Sequence, residues 1–245
     1  MPTRTDKADR PDRSYGKINW AMVGGWTLLD PADDDAFWAL NLMKYHDVAQ
    51  YRDGRQGISG READDAYAPF ESLAAVGAAI AFVGDVVGQP LGDPTWDRVA
   101  VVRYPSRAAF IAMQERSEFK EAHEHKAAGM EFTILLSCTP SGPAGTDGGD
   151  GQSVLVVDQG GEPAAAGDDL VAAFDVEGVV VGDDRTYQRA TFLRTDAPVD
   201  EVAAAASAGG EAFVVLLRPF IDGLAASVNG PHDGNLHPPR TTDGA

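Results

Sequence analysis

Apolar positions along the chain follow two rhythms, one of strands and one of helices. Phe37–Tyr45 (FWALNLMKY) is an apolar run of strand length, and Ala79–Val87 and Asp97–Tyr104 (DRVAVVRY) are two more. Between the first two, residues 61–77 set Ala63, Ala66, Tyr67, Phe70, Leu73 and Ala74 at spacings of three and four. That spacing predicts an amphipathic helix ending at Gly77. Pro105 and Ser106 open a second helix through Phe110 and Met113, which breaks near Ser117, resumes through His125 and stops at Gly129. Phe132–Cys138 (FTILLSC) closes the series as a strand.

The resulting order, β-α-β-β-α-β, is the split βαβ arrangement of a ferredoxin-like unit. A worn copy follows. Trp96-Asp-Arg-Val-Ala-Val-Val-Arg103 has a counterpart in Tyr187-Gln-Arg-Ala-Thr-Phe-Leu-Arg194, with an aromatic first and arginines at the same two offsets. Val154–Asp158 and Phe174–Val181 match the first two strands, Pro198–Ala208 reads as a helix, and Glu211–Leu217 matches FTILLSC. The first helix has no counterpart, because only a short GGEPAAAGDD stretch occupies its place. The sequence thus predicts an α+β protein of two ferredoxin-like units in tandem, the second reduced.

Charge sharpens this division. The 245 residues carry 38 acidic and 20 basic side chains, a net charge of −18. Residues 1–140 hold 21 acids and 15 bases, a net of −6, and residues 141–245 hold 17 acids and 5 bases, a net of −12. Such an excess repels phosphate backbones and anionic lipid, so neither nucleic acid nor a membrane surface is an expected partner. Residues 1–16 are densely charged and 229–245 are rich in Pro, Gly and polar side chains, so both read as disordered. Residues 141–153, a Gly-rich run, read as a flexible linker. The expected domains are therefore 17–140, a first unit with an N-terminal extension, and 154–228, the reduced second unit. Ile18–Leu29 in that extension either adds a strand or folds over a pocket mouth as a lid hinged at Gly24-Gly25. With one cysteine, Cys138, no intramolecular disulfide forms, and no apolar signal or spanning segment is evident. These features fit a soluble, cytoplasmic protein.

Several ordered motifs in residues 37–140 go further. Asn41-Leu-Met-Lys-Tyr45, Ala49 and Tyr51, Asp53-Gly-Arg55, Ser59-Gly-Arg-Glu-Ala63 and Tyr67 come first. Trp96-Asp97, Arg103-Tyr-Pro-Ser-Arg-Ala-Ala-Phe110, and Phe119 through His125-Lys126 follow. This set resembles an uncharacterised family of the dimeric α/β-barrel superfamily. The resemblance implies ferredoxin-like units whose sheets pack face to face, each with a small-molecule pocket between sheet and helices. The superfamily includes monooxygenases of aromatic polyketide pathways, haem-binding and haem-degrading enzymes, and lactone isomerases. A second, reduced copy within one chain then implies an internal pseudo-dimer, with further homodimerisation left open.

Within that frame the chemistry concentrates in the first unit. His125, at the position where many members of the family carry a histidine, is the expected acid–base residue, or else a helix-end residue paired with a glutamate. His123 lies two positions away, about 200° around a helix, so the two do not share one ion and no metal site is expected. Asn41 interrupts an apolar strand and, with Tyr45, is expected to orient a ligand. His46, Tyr51, Tyr67, Trp96, Arg103 and His123 complete the expected substrate-binding set, as aromatic walls and as partners for a carboxylate or phenolate. No phosphate loop and no nucleophile elbow occur. The expected function is an oxygenase, cyclase or isomerase acting on an aromatic or polyketide-like metabolite. No cofactor is required by the sequence; the resemblance leaves haem open, with His125 or His46 as ligand. The competing readings are a non-catalytic metabolite-binding or scaffold protein, or an accessory subunit that binds a basic partner through its acidic half.

Overall fold

The computed structural model describes residues 15–55, 57–67, 69–160, 169–208 and 210–230. The runs 1–14, 161–168 and 231–245 lie outside the described residues, and with them most of both expected disordered ends and of the GGEPAAAGDD stretch.

The elements in chain order are β1 (Lys17–Ile18), α1 (Trp20–Trp26), β2 (Phe37–Tyr45), α2 (Gly60–Ala66), α3 (Phe70–Ala75), β3 (Ala79–Leu91), β4 (Arg98–Tyr104), α4 (Arg107–Glu115), α5 (Ser117–Gly129) and β5 (Met130–Pro140). After them come β6 (Gln152–Asp158), β7 (Leu170–Gly182), β8 (Arg189–Thr195), α6 (Val199–Ser207), β9 (Ala212–Asp222) and α7 (Leu224–Asn229). The helix expected over 61–77 is two, because Pro69 has no N–H to continue α2 and instead caps α3. The second helix breaks where expected, at Arg116, whose extended backbone separates α4 from α5. Ile18–Leu29 supplies a short strand on β7 and the helix α1, whose Trp26 packs on Phe37 and Phe110.

The strands correct the expected fold class. They form one continuous sheet in the order β1-β7-β5-β2-β4-β3-β9-β6-β8, and a β7–β8 pairing closes the eight long strands into an antiparallel barrel. The protein is therefore not an α+β pair of ferredoxin-like units in tandem, nor a pseudo-dimeric α/β barrel of two facing sheets. It is a single closed, strand-dominated barrel with short helices outside. Two pairings decide this: β3 hydrogen-bonds β9 from Phe82↔Asp222 to Leu91↔Val214, and β5 hydrogen-bonds β7 from Leu135↔Val181 to Pro140↔Phe174. They join the halves where separate sheets would each have had unpaired edges, which closure removes.

Strand alternation then sorts the side chains. On β2, Trp38, Leu40 and Leu42 point into the barrel and meet Phe82, Phe174, Phe192 and Leu217 from the other strands. An eight-stranded barrel is just wide enough for side chains to fill it. Phe37 and Ala39 point outward and pack with Tyr104, Phe110, Met113 and Phe119 beneath the helices. Any sizeable ligand space in the first half therefore lies outside the barrel, between β2–β5 and α2–α5. Residues 141–153 run from β5 to β6 along β7. There Gly145 N–H donates to Val171 O, and the Asp147 carboxylate accepts from the N–H groups of Ala225 and Ala226 at 2.6 and 2.7 Å.

Candidate functional site

The outer face of β2, β4 and β5 and helices α2–α5 enclose a cavity of about 230 Å³. Its floor is made by alternate outward residues, Ala39 and Asn41 on β2, Ala100 and Val102 on β4, and Thr133 and Leu135 on β5. In register, Asn41 faces Ala100 on one side and Leu135 on the other. The walls are Tyr67, Phe70, Phe110, Phe119 and His123, with the Tyr67 ring in edge contact with Phe119 and His123. A floor that includes Ala39 and Ala100, beneath aromatic walls, leaves a mainly apolar space.

Three polar features enter it. The Asn41 amide is half-buried on the floor, and its side chain makes no hydrogen bond within the described protein. His123, 7% exposed, has Nε2 3.0 Å from the Tyr15 hydroxyl, and both residues line the cavity. The rings of Tyr67 and Phe119 hold the imidazole in place. Tyr15 is fixed in turn by its carbonyl, which accepts from Thr133 N–H at 3.0 Å.

The third feature is a charge network along one wall. Arg98 donates from Nη1 to Asp65 at 2.7 Å and from Nε to Asp85 at 3.2 Å, and Asp64 lies 3.5 Å away. Arg61 closes on the other Asp85 oxygen at 2.7 Å. Burial alone would raise the Asp85 carboxyl, but the hydrogen bond from Arg61 and the charge of Arg98 outweigh it and hold it below the usual carboxylate range. Tyr45 donates to Asp64 at 2.6 Å. Its burial, then the charge of Asp64, push the phenol far above its ordinary range, so it stays protonated as a donor.

The expected site residues divide accordingly. Asn41, Tyr67 and His123 come together in the cavity, while Tyr45 stands behind its wall on Asp64. His125 points away on α5, with Nδ1 2.7 Å from the Tyr51 hydroxyl; Arg55 covers that tyrosine ring at 3.9 Å and reaches Glu124 at 2.7 Å. His46 contacts Gln50 at 3.3 Å outside the cavity. Trp96 and Arg103 point into the barrel, where Trp96 stacks on Phe132. The sequence does not mark Tyr15, because it ends a charged run with the composition of a disordered end. The signal for it was an aromatic directly ahead of the apolar Ile18–Leu29 segment. Arg98 and its acids were missed because Asp64, Asp65 and Asp85 are scattered along the chain.

Haem does not fit this arrangement. His125 and His46, the two residues expected to ligate it, lie off the cavity, and His123 on its wall is bonded through Nε2 to Tyr15. A space of about 230 Å³ is also below the roughly 300–1,000 Å³ of pockets for drug-sized ligands. Among the described residues no group of three or more His, Cys, Asp or Glu is placed to hold a metal, and no helix is long and apolar enough to cross a membrane.

No family model matches the sequence, and no curated protein matches it. Among solved structures the chain is similar to a methylated form of the RPA0582 protein, at 28% identity and a TM-score of 0.47 over 53% of this chain and 98% of that one. A second structure, of the RPA0582 protein of unknown function from Rhodopseudomonas palustris, gives 26% identity and 0.45 over 52% and 97%. A mutant chlorite dismutase from Candidatus Nitrospira defluvii is similar at 10% identity, with a TM-score of 0.42 over 76% and 92%.

Proposed function

We propose that this protein binds a compact aromatic or polyketide-like metabolite in the cavity outside β2–β5 and moves a proton on it, as in isomerisation or cyclisation. The observation that carries the reading is the Asn41 amide, half-buried without a side-chain partner on the floor of the space that the His123–Tyr15 pair borders. A polar group set into an apolar floor is normally hydrogen-bonded, and a ligand carbonyl or hydroxyl would supply that bond. Aromatic walls over a floor that includes Ala39 and Ala100 suit a planar ring.

His123 is the acid–base residue in this reading, in place of His125. An imidazole exchanges a proton near neutral pH, and the Tyr15 hydroxyl is both donor and acceptor at 3.0 Å. The pair can accept a proton from one ligand atom and return it to another. Asn41 would hold the oxygen at which charge develops. The Arg98 network holds its charges in ion pairs along one wall, and the mainly apolar remainder of the lining favours a weakly polar ligand.

Mass spectrometry of small molecules co-purifying with wild-type protein tests the reading directly. An aromatic compound recovered with wild type and lost with Asn41→Ala is the expected result. Turnover of that compound should fall at least 100-fold in His123→Gln, with binding changed less than tenfold. Unaltered turnover in His123→Gln would remove the catalytic role, and unaltered recovery with Asn41→Ala would remove the site.

A further inference from the structure

Among the described residues, the other two buried arginines are matched with carboxylates, Arg98 with Asp64, Asp65 and Asp85 and Arg107 with Asp34 and Glu177, and so are the half-buried Arg189, with Asp158, and Arg194, with Asp222. Arg103 breaks the pattern. It is 4% exposed, its Nε is wholly shielded, and no carboxylate or hydrogen-bond acceptor among the described residues meets its guanidinium. Its neighbours on the same face of β4, Val99 and Val101, lie in the barrel interior, and its guanidinium sits 5.5 Å from the centre of the Trp38 ring. Burial pulls its pKa down with no acid offsetting the shift. An arginine stays charged even so, and a buried charge lacking a counter-ion is strongly unfavourable.

Arg194 shows what such a residue takes. The pairings run β4, β3, β9, β6 and β8 in alternating directions, so β4 and β8 point the same way and end at the same mouth of the barrel. Arg103 and Arg194 both point inward there, one residue from the end of their strands. Arg194 meets Asp222 at 2.5 Å. Helix α7 covers this mouth, with Leu224 and Ala225 in the interior cluster and Ser227 accepting from Trp38 Nε1 at 2.9 Å.

We infer that the end of the barrel beside Trp38 binds a small carboxylate anion on Arg103, in the place that Asp222 fills for Arg194. The guanidinium fork matches a planar carboxylate bidentately, while the chain's net charge of −18 disfavours multiply charged anions. Trp38 and Ala79, its strand neighbours, give an apolar wall for a short hydrocarbon tail. This site is on the opposite face of β4 from the Asn41 cavity and stands independently of the function proposed for that cavity.

Thermal unfolding in formate or acetate, against a bulky sulfonate at equal ionic strength, tests the inference. The carboxylates should raise the wild-type Tm by about 2–4 °C over the sulfonate once several-fold above Kd, and should not shift Arg103→Met. Equal shifts from the sulfonate, or a carboxylate shift retained in Arg103→Met, would overturn it as a non-specific effect. Should Arg103→Met not fold, the Arg103 Nε–H resonance of the wild-type protein decides: saturable movement with acetate supports the site, and none refutes it.

Discussion

Asn41 and His123 differ in how each came to face the cavity. Asn41 is an amide in the middle of an apolar strand, and strand alternation puts it opposite the inward Leu40 and Leu42, on the helix-covered side. That much follows from the local pattern. Of His123 and His125, helical geometry says only that they face different ways, and the packing of α5 on the sheet chose His123 for the cavity. Tyr45 carries the clearest residue-scale prediction. Its hydroxyl gives buried Asp64 a 2.6 Å hydrogen bond, the nearest Arg98 nitrogen being at 3.5 Å. Tyr45→Phe should therefore lower stability by about 2 kcal/mol, read as a lower denaturant midpoint at unchanged m-value. A loss of activity at unchanged stability would instead place the phenol in the chemistry.

At the scale of elements, α2 is the piece that completes the cavity, since it carries Asp64 and Asp65. A reciprocal capping box starts it, in which the Ser59 side chain accepts from Glu62 N–H and the Glu62 carboxylate accepts from Ser59 N–H. Its approach to α5 is set by two glycines. A Cβ on Gly129 would overlap the Gly60 carbonyl, and one on Gly60 would overlap the carbonyls of Gly129 and His46. Gly129→Ala should force α2 away from α5, costing about 2 kcal/mol or more and loosening the Asp64–Arg98 wall, measurable as lower Tm and weaker ligand recovery. Gly129 was legible only as a helix stop. Its close approach to Gly60, nearly seventy positions earlier, has no local signature. The apolar spacing over 61–77 is that of one helix, yet the missing N–H of Pro69 divides it into α2 and α3.

At the scale of the molecule, carboxylates tie the outer elements to the barrel. Glu177 on β7 accepts from Trp26 on α1, Arg107 on α4 and Ser137 on β5. Burial would raise its pKa, but those hydrogen bonds and the Arg107 charge hold it below the usual range, as Arg61 and Arg98 do for Asp85. A carboxylate depressed in the folded state stabilises fully above its unfolded value and loses that contribution as pH falls through the folded one. Asp222, raised mainly by burial, works in the opposite direction. The depressed set is larger, so stability should drop as pH falls below about 4, and Glu177→Gln should flatten that decline in acid unfolding curves. The order of the eight long strands, the two-faced burial of β2 and the polar break at Asn41 were all present in the sequence, because each depends on neighbours within a few residues. Closure was not. Two facing sheets and one barrel demand the same alternation, and only the β3–β9 and β5–β7 hydrogen bonds, between segments far apart in the chain, distinguish them. Closure turned Trp38, Leu40 and Leu42 into one shared interior, left the ligand space between sheet and helices, and put Arg103 inside without an acid.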